Sequence, residues 1–181
     1  MARKPPPKHI ARKAAPYQPR KKSNVKRYFI IGLLALALIS FILMSIPRSP
    51  AYNGPAFTDE GDLAIYRNGT SEPIVQLDIE LADDEASRVK GLMYRQTMAE
   101  DQGMLFIMEN IEPQSFWMLN TYISLDIIYV GDDKRIVSIQ RNTTPKSTDP
   151  VPSGVPAKYV LEVVAGYADR HGLQVGDRLE W

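Results

Sequence analysis

The side chains with the most chemical potential in this 181-residue chain lie mainly between Met93 and Asp126. Trp117 stands beside Asn120 and Thr121, an aromatic face with hydrogen-bonding groups close by in sequence. That combination suits a sugar or another small polar molecule. It equally suits an aromatic core residue closed by a turn, and both readings stay open. Asp126 interrupts the apolar run Leu125-Asp126-Ile127-Ile128-Tyr129-Val130. In a strand, Ile128 and Val130 share its face while Leu125, Ile127 and Tyr129 take the other, so both faces are apolar. A carboxylate there needs a partner. Arg95 is one candidate, because a guanidinium fork holds a carboxylate bidentately, and Asn120, Thr121 or backbone amides can complete the set. Arg95, Asn120, Thr121 and Asp126 are therefore expected to form one polar cluster beneath or beside Trp117, serving either as a staple for strand register or as a ligand-facing site.

Other chemistries find little support. Of the two histidines, His9 precedes the apolar segment and His171 falls in the last turn of a short helix, where a cation complements the dipole and a structural role suffices. There is no nucleophile elbow, phosphate-cradling glycine loop or His-x-x-x-His ladder, so hydrolase and metal-dependent readings rank low. Five of the seven methionines (Met93, Met98, Met104, Met108 and Met118) crowd one region, which admits a copper(I) reading through thioethers. Core packing accounts for them better. The chain has no cysteine, which removes disulfides and thiolate sites. No cofactor is implied.

The charge distribution sets the organisation. Ten basic residues and no acidic one precede Tyr28, among five prolines, and such a segment cannot bury enough surface to fold. Residues 1–27 are read as a disordered basic cytoplasmic tail. Tyr28 to Ile46 carries no charge and spans roughly 28 Å as a helix, close to the hydrocarbon thickness of a bilayer. Residues 28–46 are therefore expected to cross the membrane once, with the basic flank holding the N-terminus in the cytoplasm. Ser49-Pro50-Ala51 loosely imitates a cleavage site, but the apolar run exceeds an ordinary signal-peptide h-region. Anionic lipid headgroups are the expected partner of the tail, in preference to nucleic acid, for which no aromatic interleaving exists. Residues 47–56 form a linker, and residues 57–181 an extracytoplasmic domain, periplasmic or extracellular, with eleven basic against 21 acidic side chains.

Within that domain the alternation of Val75, Leu77, Ile79 and Leu81 with polar residues predicts a half-buried strand. Asp83 is placed as the cap of a short helix that pairs Asp84 with Arg88 and stops at Gly91. Strands are predicted at 104–108, 116–119, 125–130, 136–140, 159–164 and 178–181, with a hairpin at Gly131-Asp132-Asp133-Lys134 and a second short helix over 166–171. Residues 141–157, with four prolines, read as a long loop. The fold class is α+β and mainly β: a curled, antiparallel-rich sheet or barrel-like sandwich with two short helices, preceded by one transmembrane helix.

Gly91-Leu92-Met93-Tyr94-Arg95, Gly103-Met104-Leu105-Phe106, Phe116-Trp117-Met118-Leu119-Asn120-Thr121, Leu125-Asp126-Ile127-Ile128, Val160-Leu161-Glu162-Val163 and Gly176-Asp177 follow one another in an order and spacing that resembles domain-of-unknown-function family 192. The resemblance covers roughly Val75 to Leu179. It implies a small, mainly β domain, often exported or anchored, with no established activity. Leu119 stands where the family usually has lysine, so an anion-binding role for that lysine does not carry over. The residues favour a small-ligand binding module, with carbohydrate among the candidate ligands. The alternative is a structural domain that contacts an envelope protein partner, through the Pro-rich segment for example.

Overall fold

The computed structural model describes residues 24–45 and 54–181, which form two separate units, an N-terminal helix and a β-rich domain. Helix α1, Val25–Ser45, has 21 residues and so runs about 31 Å. It starts before the charge-free run because the Tyr28 amide already bonds the Asn24 carbonyl at 3.1 Å, which places Lys26 and Arg27 on the first turn. None of its window from Val25 to Ile42 is buried, and by length and composition it could cross a membrane. A helix apolar on every side has no wet face to present to water. The expected tail before Asn24, residues 46–53 of the run and linker, and Ser49-Pro50-Ala51 lie outside the described residues.

Strands β1 (Gly61–Tyr66), β2 (Pro73–Ala82), β3 (Gln102–Phe116), β4 (Leu125–Val130), β5 (Ile136–Gln140), β6 (Val151–Val164) and β7 (Arg178–Glu180) make one sheet in the order β5-β4-β6-β3-β2-β1-β7. Helix α2 (Glu85–Lys90) joins β2 to β3, and α3 (Tyr167–Arg170) lies between β6 and β7. Only β2 and β3 pair in parallel, as their helical crossover requires. The sheet curls until its edges meet. The Ile136 amide bonds the Asp177 carbonyl and the Leu179 amide bonds the Lys134 carbonyl, each at 2.8 Å, around a bridge between Arg135 and Arg178. The hairpin at Gly131–Lys134 forms as expected, with Lys134 at φ 61°.

Curling gives the sheet an inside and an outside. Leu63, Ile65, Leu77, Ile79, Leu105, Ile128, Leu161 and Leu179 fill the inside. On the outer face, Met104, Phe106, Leu125, Ile127, Tyr129 and Val160 are covered by Leu92 and Met118. Met98 and Met108 pack against this second cluster, so four of the five clustered methionines serve as core. Every residue of β4 is buried.

Three local expectations differ from the structure. Asp84, not Asp83, caps α2: its carboxylate accepts from the Ala86 and Ser87 amides at 2.7 and 3.0 Å, and the Asp84 amide donates to the Ser87 hydroxyl at 3.2 Å. With that carboxylate engaged, Arg88 reaches instead to the Asp83 and Ile107 carbonyls and to Glu109. The predicted strand at 116–119 ends at Phe116, because β3 runs unbroken from Gln102 and then turns. The Pro-rich segment is a loop only up to Pro150; Val151 to Ala157 belongs to β6 and pairs with Glu112 to Phe116 of β3. Prolines are tolerated there because β4 pairs only with the later part of β6, from Tyr159 to Val164, which leaves the earlier part an edge.

Asp126 resolves its burial through the main chain. It is 0% exposed. One carboxylate oxygen accepts from the Asn142 amide at 2.8 Å and the Gly166 amide at 3.1 Å, and the other from the Ala168 amide at 2.9 Å. The loop after β5 and the start of α3 are thus tied to β4. Asp126→Ala should cost roughly 3–5 kcal/mol in urea unfolding, since buried amides lose a charged acceptor. A loss below about 1 kcal/mol would mean that those amides find other acceptors without it.

Candidate functional site

The residues singled out by sequence do not form one cluster. Arg95, 3% exposed, gives its Nη2 to Glu80 at 2.5 Å, and the other Glu80 oxygen accepts from the Thr58 amide at 3.1 Å. That pair pins the chain after α2 to β2, with the Arg95 Nε buried and unpartnered. The expected Arg95–Asp126 pairing is absent because Glu80 and the three amides satisfy the two groups separately. Both act inside the fold. Asn120 stands at the rim of the turn after β3, where its side-chain amide donates to the Tyr94 hydroxyl at 3.0 Å.

Trp117 and Thr121 do come together. The chain from Phe116 to Thr121 is held on two sides: the Tyr94 amide bonds the Asn120 carbonyl at 2.7 Å, the Lys146 amide bonds the Thr121 carbonyl at 3.0 Å, and the Met118 amide bonds the Ser147 carbonyl at 3.0 Å. Tyr94, Asn120 and Lys146 all have positive φ, at 66°, 57° and 62°. Three non-glycine residues in that region around one turn store strain that the surrounding bonds must offset. The result is a fixed shelf with Trp117 53% exposed at its edge.

Below the shelf a narrow slot runs between the end of α2 and the outer face of the sheet, lined among others by Gly91, Phe106, Phe116, Trp117, Thr121 and Glu162. The space inside is about 30 Å³, room for one or two non-hydrogen atoms. Gly91 helps to shape this wall: its φ is 43°, and a Cβ there would come within 3.2 Å of Phe106 Cζ. Beside the slot, and sharing Arg88, Val89, Phe116 and Trp117 with it, lies a groove of about 400 Å³ that also takes in Met108, Ser115, Thr148 and Pro150.

Glu162 is the residue that sequence reasoning missed. It sits on β6 between Met104 of β3 and Ile127 of β4 and is 4% exposed. Among the described residues no hydrogen-bond donor meets its carboxylate, and burial pushes its pKa up to about 8. At neutral pH it is chiefly a neutral acid, able to donate as well as accept. Tyr129, whose own pKa is raised by burial and then by the Glu162 charge, keeps its hydroxyl on the Val151 carbonyl. Val160-Leu161-Glu162-Val163 carries the same signal that singled out Asp126, a lone carboxylate flanked on its own face by apolar residues. A half-buried strand with a wet face reads identically, so the run alone does not mark Glu162 as buried.

The sign of the pH effect follows from the raised pKa. Between pH 4.5 and 8 the folded state holds a proton on Glu162 that the unfolded chain has released, so this contribution to stability is full below pH 4.5 and lost as pH approaches 8. The stability of Glu162→Gln relative to the parent chain should therefore rise steadily from about pH 5 to pH 8. Denaturation at three pH values checks this, and a difference independent of pH would show that the carboxyl titrates normally.

Comparison with known proteins agrees with this architecture. UPF0127 protein PF1050 of Pyrococcus furiosus is 26% identical over 124 residues, which cover 63% of this chain and 95% of that one. A crystal structure from Sinorhizobium meliloti, put forward as a transcription regulator, superimposes with a TM-score of 0.63 at 37% identity, covering 69% of this chain and 97% of the other. A protein of unknown function from Novosphingobium aromaticivorans gives 0.62 at 34% identity, covering 75% and 99%. The family model described as DUF192, Uncharacterized ACR, matches residues 66–181, from the end of β1 to the C-terminal tryptophan. On that match the chain belongs to the DUF192 family.

Proposed function

We propose that the domain is a binding module for a small polar molecule, held outside the cytoplasm by α1. The observation that carries the binding reading is Glu162: a buried carboxyl without a hydrogen-bond partner, opening into a slot beside an exposed tryptophan. Buried polar groups are ordinarily satisfied within the protein, and one left open toward a cleft is available to a ligand. Trp117 and Phe116 offer aromatic surface, and Ser115 and Thr148 offer hydroxyls in the adjoining groove. A sugar, or another ligand with one apolar face and one polar end, suits that arrangement.

Asn120 forms part of the rim, while Arg95 and Asp126 support the site through the fold. The presence of a groove at Trp117 favours binding over a purely scaffolding role. The regulator description of the Sinorhizobium meliloti protein is not carried over, because a domain with 21 acidic against eleven basic side chains is repelled by nucleic-acid phosphates. The reading of α1 as a retained single-pass anchor rests on its length, its apolar circumference and the ten basic residues before Tyr28.

A thermal-shift screen of neutral sugars, amino sugars, amino acids and simple amines tests the binding reading. At least one compound should raise the melting temperature and change Trp117 emission, and both effects should vanish in Trp117→Ala. A panel that moves neither would sink the proposal. For the anchor, alkaline phosphatase fused after Trp181 should be active and the same enzyme fused before Met1 inactive. The inverse pattern, or a mature chain that begins near Tyr52, would overturn it.

A further inference from the structure

Glu162, Thr121 and the rings around them define what the slot should take. Phe106 and Phe116 meet edge to face at 5.0 Å, Phe116 and Tyr129 at 6.1 Å, and Trp117 closes the outer side. Aromatic faces carry negative potential, give a neutral ligand only weak hydrogen bonds and attract a cation. Thr121 is buried, and its hydroxyl has only a long contact of 3.4 Å to the Leu119 carbonyl, so its lone pairs remain open to a donor. The slot therefore presents a carboxylate and a hydroxyl as acceptors among aromatic side chains. Its volume of about 30 Å³ fits a head group of one or two atoms, and the groove of about 400 Å³ beside it has the apolar lining that an alkyl stem needs.

We propose that the slot binds the ammonium end of a small primary amine, paired with Glu162 and Thr121, with the amine's stem lying in the groove over Phe116 and Trp117. This deepens the binding reading above and rests on it. The charged groups facing Glu162 allow the pairing. From α2, Arg88 is already held by two carbonyls and Glu109, and Lys90 lies exposed at the slot wall; burial alone, with no contribution from either cation, sets the titration of Glu162. From β4, the Tyr129 hydroxyl is committed to Val151. An arriving ammonium is thus the first cation to reach the carboxylate.

Pairing requires Glu162 to release its proton while the amine, with a pKa near 10, keeps its own. Affinity should therefore increase as pH rises from 6 to 8 and level off beyond. A neutral ligand that accepts a hydrogen bond from the protonated acid would show the opposite slope. Calorimetric titration of the full-length chain in detergent micelles, in amine-free buffers, compares n-butylamine with n-butanol. Butylamine should bind at least about tenfold more tightly than butanol at pH 8, and should weaken by more than about tenfold between pH 8 and pH 6. Glu162→Gln should erase both the preference and the pH dependence. If that variant does not fold, Thr121→Val serves: it should weaken butylamine about threefold at pH 8 and keep the pH dependence that Glu162 sets. Equal binding of the two probes, amine binding without pH dependence, or undiminished amine binding by Glu162→Gln overturns the assignment. A neutral sugar bound in a Glu162-dependent way, with butylamine inert, would remove the ammonium assignment and keep the binding site. Failure of every compound to move Trp117 would remove both.

Discussion

Burial of both faces of β4, and of the segments Gly103–Phe106 of β3 and Val160–Val163 of β6 beside it, is the constraint that the rest of the domain answers to. The sheet curls because its inner face is apolar on every strand, and curling brings the β5 end of the sheet onto β7 through the main-chain bonds at Ile136 and Leu179. An open sheet of this width would leave two unpaired edges, and joining them removes most of that exposure. The outer face of the three central strands is apolar too, so it needs a cover. The cover comes from α2, the segment after it, and the turn after Phe116, whose Leu92 and Met118 side chains fill the second core.

Two of the carboxylates on these strands, Asp126 and Glu162, are buried, and the fold treats them differently. Asp126 is surrounded by backbone amides from the loop after β5 and the start of α3, so its charge is satisfied and it stitches three elements together. Glu162, one strand over, lies between Met104 and Ile127, receives no hydrogen bond and ends in the slot. A short side chain such as aspartate can reach main-chain donors close to its own strand. The longer glutamate instead projects into the space between the sheet and α2, where its raised pKa keeps it chiefly neutral at neutral pH. The first arrangement stabilises the fold; the second leaves chemistry available.

The slot exists because its walls are independently fixed. Asp84 and Ser87 close a capping box at the start of α2, Gly91 ends the helix against Phe106, and the strained turn beside Asn120 is held by Tyr94 and the 141–147 loop. Arg88, anchored on carbonyls of Asp83 and Ile107, ties the helix to β3. Neither the Glu162 carboxyl nor the Trp117 ring makes any of these contacts. That separation allows Glu162 and Trp117 to remain uncommitted while their positions are determined by neighbours.

Much of this was legible in the chain. The apolar run before residue 47, the alternating strand at Val75–Leu81, the hairpin at Gly131–Lys134 and the doubly apolar run around Asp126 follow from local periodicity and turn chemistry, which a sequence carries directly. The partner of Asp126 was not legible, because backbone amides carry no residue signature and Arg95 was the visible alternative. Nor was the pairing of Val151–Ala157 with β3, where proline-rich composition resembles a loop until a neighbouring strand supplies the edge. The sequence by itself determined which segments must be buried and where turns must fall. Tertiary structure decided which carboxylate is satisfied and which faces a slot, since that depends on which groups are brought within about 3 Å by chain segments distant in sequence, and no local pattern encodes that distance.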